Sequence, residues 1–326
     1  MLNSLRGKPT QRQLRTRLRA ARLLLLASFG IALASLLGPA IGLAQTPSGP
    51  QPASPALPQD GDLTLGAGAG TVLVGLTVRP AQPGPNTLLI YVLPLEGPTT
   101  AADVVVHVAV NAQPVPLEFC SRSCRTGEAT LAGGEHIDLL VDGPDGGAVA
   151  FDLPALPAPD GASLLQQAQD RMHALHSYRV DEVMGPNAAF GHFSYAYQAP
   201  DRMSVDLGGS QTIFVGPLRY TRSDPEAAWQ VDNLGSSLVV PSFIWDPHDP
   251  SDSIVATRIV GADSVDGVPT QALAFFKGAY GTPFWFRLQV DPSGLVRRAE
   301  MNGQGHFMLD HYTDFDAPLA IEPPVP

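Results

Sequence analysis

Beyond Tyr178, apolar and polar residues alternate along most of the chain, most clearly in Phe193–Tyr197, Met203–Leu207 and Phe284–Val290. A period of two places successive side chains on opposite faces of a β-strand. One amphipathic helix, predicted over Ala162–His176, precedes about ten strands that turn residues delimit. The sequence therefore predicts a large curved antiparallel sheet with one apolar face.

A single helix is too small to cover the apolar face of so large a sheet. The segment Asp232–Asp252 is the expected second cover, as a loop or a short helix. A concave apolar sheet that is incompletely covered is typical of a ligand cavity.

The order of elements in this half carries a resemblance. The helix ends in MHALHSY, the runs YAYQAPDRMSVDL and IFVGPLRYTRSDPEAAWQV follow, and PFWFRLQVDPSGLVRRAEM precedes a final strand. This order is similar to that of the LolA/LppX/LprG-like superfamily of half-barrel carriers. The resemblance implies an α+β half-barrel over residues 160–326 that holds an acyl chain or a lipidated partner without catalysis. It also implies an apolar lining, at the matching positions Met203, Val205, Leu207, Phe284, Phe286 and Leu288.

Short apolar runs separated by Gly- and Pro-rich turns fill the region from Leu63 to Leu153. About seven strands at this spacing predict an immunoglobulin-like antiparallel β-sandwich over residues 63–154. The run VGLTVRPAQPGPNTLLIYVLPLEGP resembles the opening of the YtkA/CopC-like β-sandwich family. That resemblance implies a connection with copper homeostasis, but the region between Gln45 and Val106 contains no His to match the family's copper ligands.

The first 44 residues are predicted to be an export signal. Basic residues up to Arg22 precede the uncharged run Leu23–Leu37, and a small-x-small cleavage site lies before Gln45. The apolar run is shorter than the roughly 20 residues of a membrane span; an uncleaved N-terminal anchor is the alternative. Both place the body of the protein outside the cytoplasm, secreted, periplasmic or on the cell surface. Residues 45–62, rich in Pro, are predicted to be an extended linker.

Charge is distributed unevenly along the chain. Seven of the 20 basic residues lie in the first 44 positions, which leaves 13 basic residues against all 31 acidic ones and a net charge of −18. Lys277 is the single lysine of this remainder. Such a surface repels nucleic acid and anionic lipid headgroups. Nucleic acid is therefore excluded as a partner, and membrane proximity would come from the N-terminal segment if it is uncleaved.

Cys120 and Cys124 are the two cysteines of the chain. In an oxidising compartment, two cysteines four residues apart close a small disulfide ring, and a disulfide is the expected state. The alternative is a dithiol copper(I) site with His107 or His136 as third ligand, because soft thiolates select copper(I).

His306, Met308 and Asp310 share one face of the last predicted strand. Because His and Met are plausible copper ligands, His306 and Met308 form a second candidate copper site. The other interpretation is a solvated outer face. No other cofactor is indicated.

The sequence contains no G-x-S-x-G elbow, H-E-x-x-H motif, phosphate-binding glycine loop or dinucleotide fingerprint. It therefore predicts an exported, non-catalytic binding protein that carries or senses a lipid, an acyl chain or another hydrophobic partner. The alternative is an extracytoplasmic copper-handling accessory protein.

Overall fold

The computed structural model describes residues 57–94, 104–121, 123–143, 145–185, 191–247, 252–279, 282–303 and 306–324. These residues form twenty strands and one helix, and the predicted mainly β fold class is confirmed. The expected signal or anchor and most of the expected linker lie outside the described residues. In the part of the chain that is described, no helix is both long and apolar enough to cross a membrane.

The N-terminal half builds two antiparallel sheets. In spatial order, the five-stranded sheet comprises β1 (Leu63–Ala69), β2 (Val72–Arg79), β3 (Gly84–Pro94), β7 (Cys124–Leu131) and β6 (Glu118–Ser121). The four-stranded sheet comprises β5 (Gln113–Val115), β4 (Val106–Val110), β8 (His136–Val141) and β9 (Gly147–Asp152). The alternating apolar residues of both sheets meet in one core, in which Val74, Ile90 and Ile137 are fully buried. The predicted sandwich is thus formed, with nine strands where the turns predicted about seven.

The C-terminal half forms one eleven-stranded antiparallel sheet after helix α1 (Ala162–His173). In spatial order it comprises β15 (Gln230–Asn233), β14 (Leu218–Arg222), β13 (Gln211–Val215), β12 (Arg202–Asp206), β11 (Gly191–Gln198), β10 (Ser177–Met184), β20 (His306–Thr313), β19 (Val296–Gly303), β18 (Thr282–Val290), β17 (Val268–Ala279) and β16 (Ser253–Val265). The last strand returns to pair with the first one, β10, in the middle of the sheet.

Because side chains alternate along each strand, the large sheet has two distinct faces. We call the face that packs against α1 the concave face; it carries Val180, Phe286 and Leu288. We call the opposite face the convex face; it carries Trp285 and Phe276.

The convex face packs against the five-stranded sheet, so that this sheet is a layer shared by both halves. Trp285 is 1% exposed and its ring centroid lies 5.5 Å from that of Tyr91 on β3. Gly66 and Gly75 leave the space that the indole fills, since a Cβ at either glycine would overlap it. The amide of Asn302 also donates to the carbonyl of Gly66 at 3.2 Å.

The end of the expected linker is part of this assembly rather than an extended spacer. Asp62 is 1% exposed and its carboxylate lies 2.6 Å from the Arg79 guanidinium. Its carbonyl accepts a hydrogen bond from Arg258 of β16 at 3.2 Å. The buried ion pair explains why a Pro-rich segment becomes fixed at this point.

Candidate functional site

All six residues predicted to line a cavity lie on the concave face. Met203 and Val205 belong to β12, Leu207 directly follows that strand, and the other three belong to β18. The six residues therefore flank the centre of the sheet rather than forming one patch. Four of them are buried, at exposures of 2% for Met203, 4% for Val205, 3% for Phe286 and 0% for Leu288. Leu207 and Phe284 are partly buried. The four buried residues contact other side chains, so they do not face an open hollow.

Helix α1 covers one part of the concave face. Its buried side is formed by Leu165, Ala168 and Met172, which join the same core as Phe286 and Leu288. The spacing of three and four residues places these side chains on one helical face.

A second cover lies within the segment for which the sequence predicted it. We call Leu238–Asp246 the cover segment. Phe243 is 2% exposed and Trp245 is 0% exposed, although the segment has no regular secondary structure. The Phe243 ring stacks on Trp245 with centroids 4.7 Å apart, and it lies 5.3 Å from the ring of Tyr178 on the sheet. The cover segment therefore inserts two aromatic side chains where an open hollow was expected.

Polar contacts hold the cover segment from below and from the side. The buried Lys277 ammonium on β17 donates to the carbonyls of Ile244 (3.2 Å) and Asp246, and it lies 3.5 Å from the Asp252 carboxylate. Burial lowers the pKa of Lys277, an effect that Asp252 opposes. His173 of α1 contacts the Asp246 carboxylate at 2.8 Å. Lys277, the single lysine after residue 44, thus fixes the cover segment to the sheet.

Two carboxyl groups lie at the centre of the concave face. Glu182 on β10 and Asp310 on β20 are direct cross-strand partners, and each is 4% exposed. Tyr195 donates to Glu182 at 3.3 Å, and Tyr312 donates to Asp310 at 2.8 Å. Burial, and for Glu182 also the neighbouring Asp310, raises the pKa values of both carboxyl groups well above the ordinary range.

Tyrosine rings surround this pair. Tyr178 and Tyr197 stack with centroids 4.6 Å apart, and Tyr178 lies 6.1 Å from Tyr312. Desolvation, helped by the nearby carboxyl groups, raises the pKa values of Tyr195 and Tyr197, so these phenols stay neutral. The arrangement is an acidic centre enclosed by aromatic faces.

Burial decreases toward one end of the concave face. We call the partly buried apolar residues at this end the rim: Met184, Phe193, Leu207, Phe284 and Met308. The register places Met184 beside Met308 and Phe193 beside Glu182. Two residues further along β10 and β20 from the rim methionines, the carboxyl pair is buried. The rim is therefore the end of the concave face at which apolar side chains remain partly accessible to solvent.

Cys120 and Cys124 form a disulfide, with their Cα atoms 5.2 Å apart. In this oxidised state neither sulfur is a thiolate, which is the form that binds copper(I). The two candidate third ligands are engaged elsewhere: His107 contacts Asp142 at 2.9 Å, and His136 contacts Asp152 at 2.6 Å. The structure does not bring the predicted dithiol ligand set together.

The solvated outer face expected for the last strand is a wrong prediction. Met308 and Asp310 lie on the concave face, and Asp310 is buried. This face of β20 is the one that packs toward α1 and the cover segment, so it belongs to the core rather than to the outer surface. The side chain of His306 lies outside the described residues. Across the described residues, no cluster of three or more His, Cys, Asp or Glu side chains is arranged to hold a metal ion.

Sequence reasoning missed the carboxyl pair and the lysine anchor. A signal was present for Glu182, since Val180 and Met184 flank it at the inward positions of one strand. Asp310 similarly alternates with Met308 and Tyr312. Asp and Glu are almost never fully buried unless they are paired. A carboxylate at an inward position of an apolar strand therefore indicates a candidate site even before the partner strand is known.

Two solved structures match about half of this chain. No family model matches, and no curated protein matches. The structure of LprF from Mycobacterium bovis matches 51% of this chain and 99% of its own, with 11% identity and a TM-score of 0.37. Lipoprotein LppX of Mycobacterium tuberculosis matches 50% of this chain and 100% of its own, with 14% identity and a TM-score of 0.38. Ligand chemistry therefore has to be inferred from the side chains of this chain.

Proposed function

We propose that the protein is an extracytoplasmic, non-catalytic binding protein that holds a hydrophobic ligand on the concave face. The observation that carries this proposal is the gradient of burial from the rim to the interior. Met184, Phe193 and Met308 remain partly exposed at one end of the face, whereas Glu182 and Asp310 at its centre are deeply buried.

The nature of the cover supports the same proposal. One helix and an irregular segment close the face, and the segment is attached through Lys277, His173 and a few backbone contacts. An acyl chain, or the acyl part of a lipidated partner, would contact the rim residues and displace or extend the cover. Each 200 Å² of apolar surface removed from water would contribute about 5 kcal/mol.

The expected cellular setting agrees with this role. The N-terminal 44 residues have the order of an export signal, and the Cys120–Cys124 disulfide is a bond that persists in oxidising compartments. A carrier of hydrophobic ligands between membranes or envelope layers would work in such a compartment.

The neutral fluorescent probe N-phenyl-1-naphthylamine tests the proposal. Phe193→Glu places a charge on the rim and should reduce probe binding at least tenfold. Ser194→Glu is the matched control, because Ser194 is exposed on the convex side of the same strand. Native mass spectrometry of the purified protein should show a co-purifying hydrophobic ligand. A wild-type protein that neither binds the probe nor carries a ligand would refute the proposal.

One observation favours the copper alternative in a revised form. Met184, Met308 and Met301 are consecutive cross-strand partners on the concave face. Thioether sulfurs are soft ligands that accept copper(I). The methionine row, rather than the cysteine pair, would then hold the ion.

A silver(I) titration, with silver(I) as a redox-inert substitute for copper(I), tests this second candidate. Met308→Leu keeps the volume of the side chain and should abolish stoichiometric binding if the row is a metal site. Met203→Leu, on β12 away from the row, should leave binding unchanged. Equal binding by both variants and the wild type would remove the copper candidate.

A further inference from the structure

The carboxyl pair at the centre of the concave face has no compensating positive charge. Glu182 and Asp310 face each other across β10 and β20, and direct cross-strand partners have Cβ atoms about 4.5–5.5 Å apart. Among the described residues, neither carboxylate takes part in an ion pair, and the hydrogen bonds they accept come from Tyr195 and Tyr312. Two acidic groups are thus held together in an apolar environment without a cation beside them.

One oxygen of the carboxyl pair and one hydroxyl near it lack hydrogen-bond partners among the described residues. Oδ1 of Asp310 is buried and accepts no hydrogen bond from the described residues. The hydroxyl of Tyr178, a residue 2% exposed, also has no hydrogen-bond partner of good geometry among the described residues, although the backbone of Ser242 lies close enough to lower its pKa. This hydroxyl lies within electrostatic reach of Asp310. The two atoms belong to neighbouring strands, β10 and β20.

Such an arrangement is unfavourable for a site that binds hydrocarbon alone. A buried polar group without a partner costs about 1–3 kcal/mol, and a buried charge costs more. Leucine at either position would remove that cost and extend the apolar face. The raised pKa values of both groups reflect the same desolvation. The pair is therefore suited to a ligand that supplies the missing positive charge.

We propose that the concave face binds a hydrophobic organic cation, a protonated amine or quaternary ammonium group with apolar substituents. This inference rests on the proposed function and specifies its ligand. The cationic group would lie between Glu182 and Asp310, and the apolar substituents would contact Met184, Phe193 and Met308 at the rim. The carboxyl pair is two residues beyond the rim methionines, which corresponds to about 7 Å along a strand.

The groups around the pair favour a cation. The faces of Tyr178, Tyr195 and Tyr312 attract positive charge through their ring quadrupoles. From the cover segment, Asp246 adds a further carboxylate, which contacts His173. Lys277 is occupied by the carbonyls of the cover segment and by Asp252. The described surroundings of the pair therefore add negative potential and aromatic surface.

Competition between probes of matched chain length tests the inference. Decyltrimethylammonium, 1-decanol and decanoate would each be titrated against bound N-phenyl-1-naphthylamine at concentrations below micelle formation. We expect decyltrimethylammonium to bind at least tenfold more tightly than 1-decanol, and decanoate to bind most weakly. The comparison uses the wild-type protein, so it does not depend on the folding of a variant.

Isosteric variants then locate the effect. Glu182→Gln and Asp310→Asn should each reduce the affinity for decyltrimethylammonium at least fivefold more than they reduce the affinity for the neutral probe. Asp181→Asn is the matched control, because Asp181 is exposed on the convex side and its replacement removes the same charge. Its affinity for the cation should stay at the wild-type value.

The outcomes separate this inference from the proposed function. If the neutral probe binds but the cation binds no better than 1-decanol, or if all three variants behave alike, the inference is overturned and the proposed function stands. If neither the neutral probe nor any decyl compound binds, the proposed function fails as well.

Discussion

The packing of Trp285 against two glycines predicts that replacing Trp285 will relieve the clash of an alanine at one glycine position but not at the other. At Gly75, an added Cβ would lie within 3.0 Å of Cζ2, Cε2 and Cη2 of the indole; at Gly66, it would lie within 3.0 Å of Cβ and Cγ of the same residue. Gly75→Ala and Gly66→Ala should therefore each destabilise the protein by about 1–3 kcal/mol, the usual range for overpacking.

Phenylalanine at position 285 distinguishes the two clashes. Trp285→Phe removes the outer ring of the indole, which contains the atoms that Gly75→Ala would meet, but keeps the Cβ and Cγ that Gly66→Ala would meet. We expect Trp285→Phe alone to cost about 1–3 kcal/mol. In its background, Gly75→Ala should cost nothing or stabilise slightly, since alanine is about 0.5–1 kcal/mol better than glycine inside a strand. Gly66→Ala should keep its full cost.

Urea denaturation of the single and double variants, followed by far-UV circular dichroism, provides the free energies of unfolding. The coupling between Gly75 and Trp285 should be about 1–3 kcal/mol, and the coupling between Gly66 and Trp285 should be near zero. The wild type should unfold in one transition, because the shared sheet joins both halves. Equal coupling for both glycines, or none for either, would refute the packing described for the convex face.

Three further predictions concern the disulfide, the cover and the carboxyl pair. Replacing Cys120 and Cys124 together by alanine should cost about 2 kcal/mol by the loop-closure relation for so short a ring, measured by urea denaturation. Lys277→Met should cost about 3–5 kcal/mol because it leaves buried carbonyls and a carboxylate without their cation, and limited proteolysis should then cut faster in the cover segment. The raised pKa values of Glu182 and Asp310 mean that the folded state keeps protons that the unfolded chain releases above about pH 4. This stabilisation is complete below that pH and is lost as the pH rises through neutrality, so the urea midpoint should fall between pH 4 and pH 9, with a smaller fall in Glu182→Gln.

The sequence predicted those parts of the fold that local patterns determine. Alternation marked the strands, turn residues separated them, and the run around Phe243 and Trp245 was expected as a second cover. The pairing of strands was not predictable, because β10 and β20 come together from the two ends of the C-terminal half. No local pattern reports which distant strand supplies the neighbouring hydrogen bonds.

The predicted site differed from the observed one for a related reason. The predicted apolar positions share one face of the sheet, since the period of each strand determines on which face a side chain lies. Whether those side chains line a cavity or pack against other side chains depends on Phe243 and Trp245. The insertion of these two residues is part of the tertiary packing, which no single strand determines. Likewise, Glu182 and Asp310 become a pair because of strand register, which neither strand encodes alone.

The two faces of the large sheet are held with different strength, and this difference determines where the molecule can respond to a ligand. On the convex face, Trp285 and Phe276 pack against a second sheet, so bending of the sheet would break a close-packed core. On the concave face, the cover segment has no strand pairing. Apart from the burial of Phe243 and Trp245, it is held by Lys277, by the contact between His173 and Asp246, and by a backbone hydrogen bond from Val240 to Pro200. Local opening requires least free energy where backbone hydrogen bonds to the rest of the structure are few. A ligand entering at the rim would therefore move the cover segment rather than the sheet, and hydrogen exchange in the segment, rather than in β18, should change when the ligand binds.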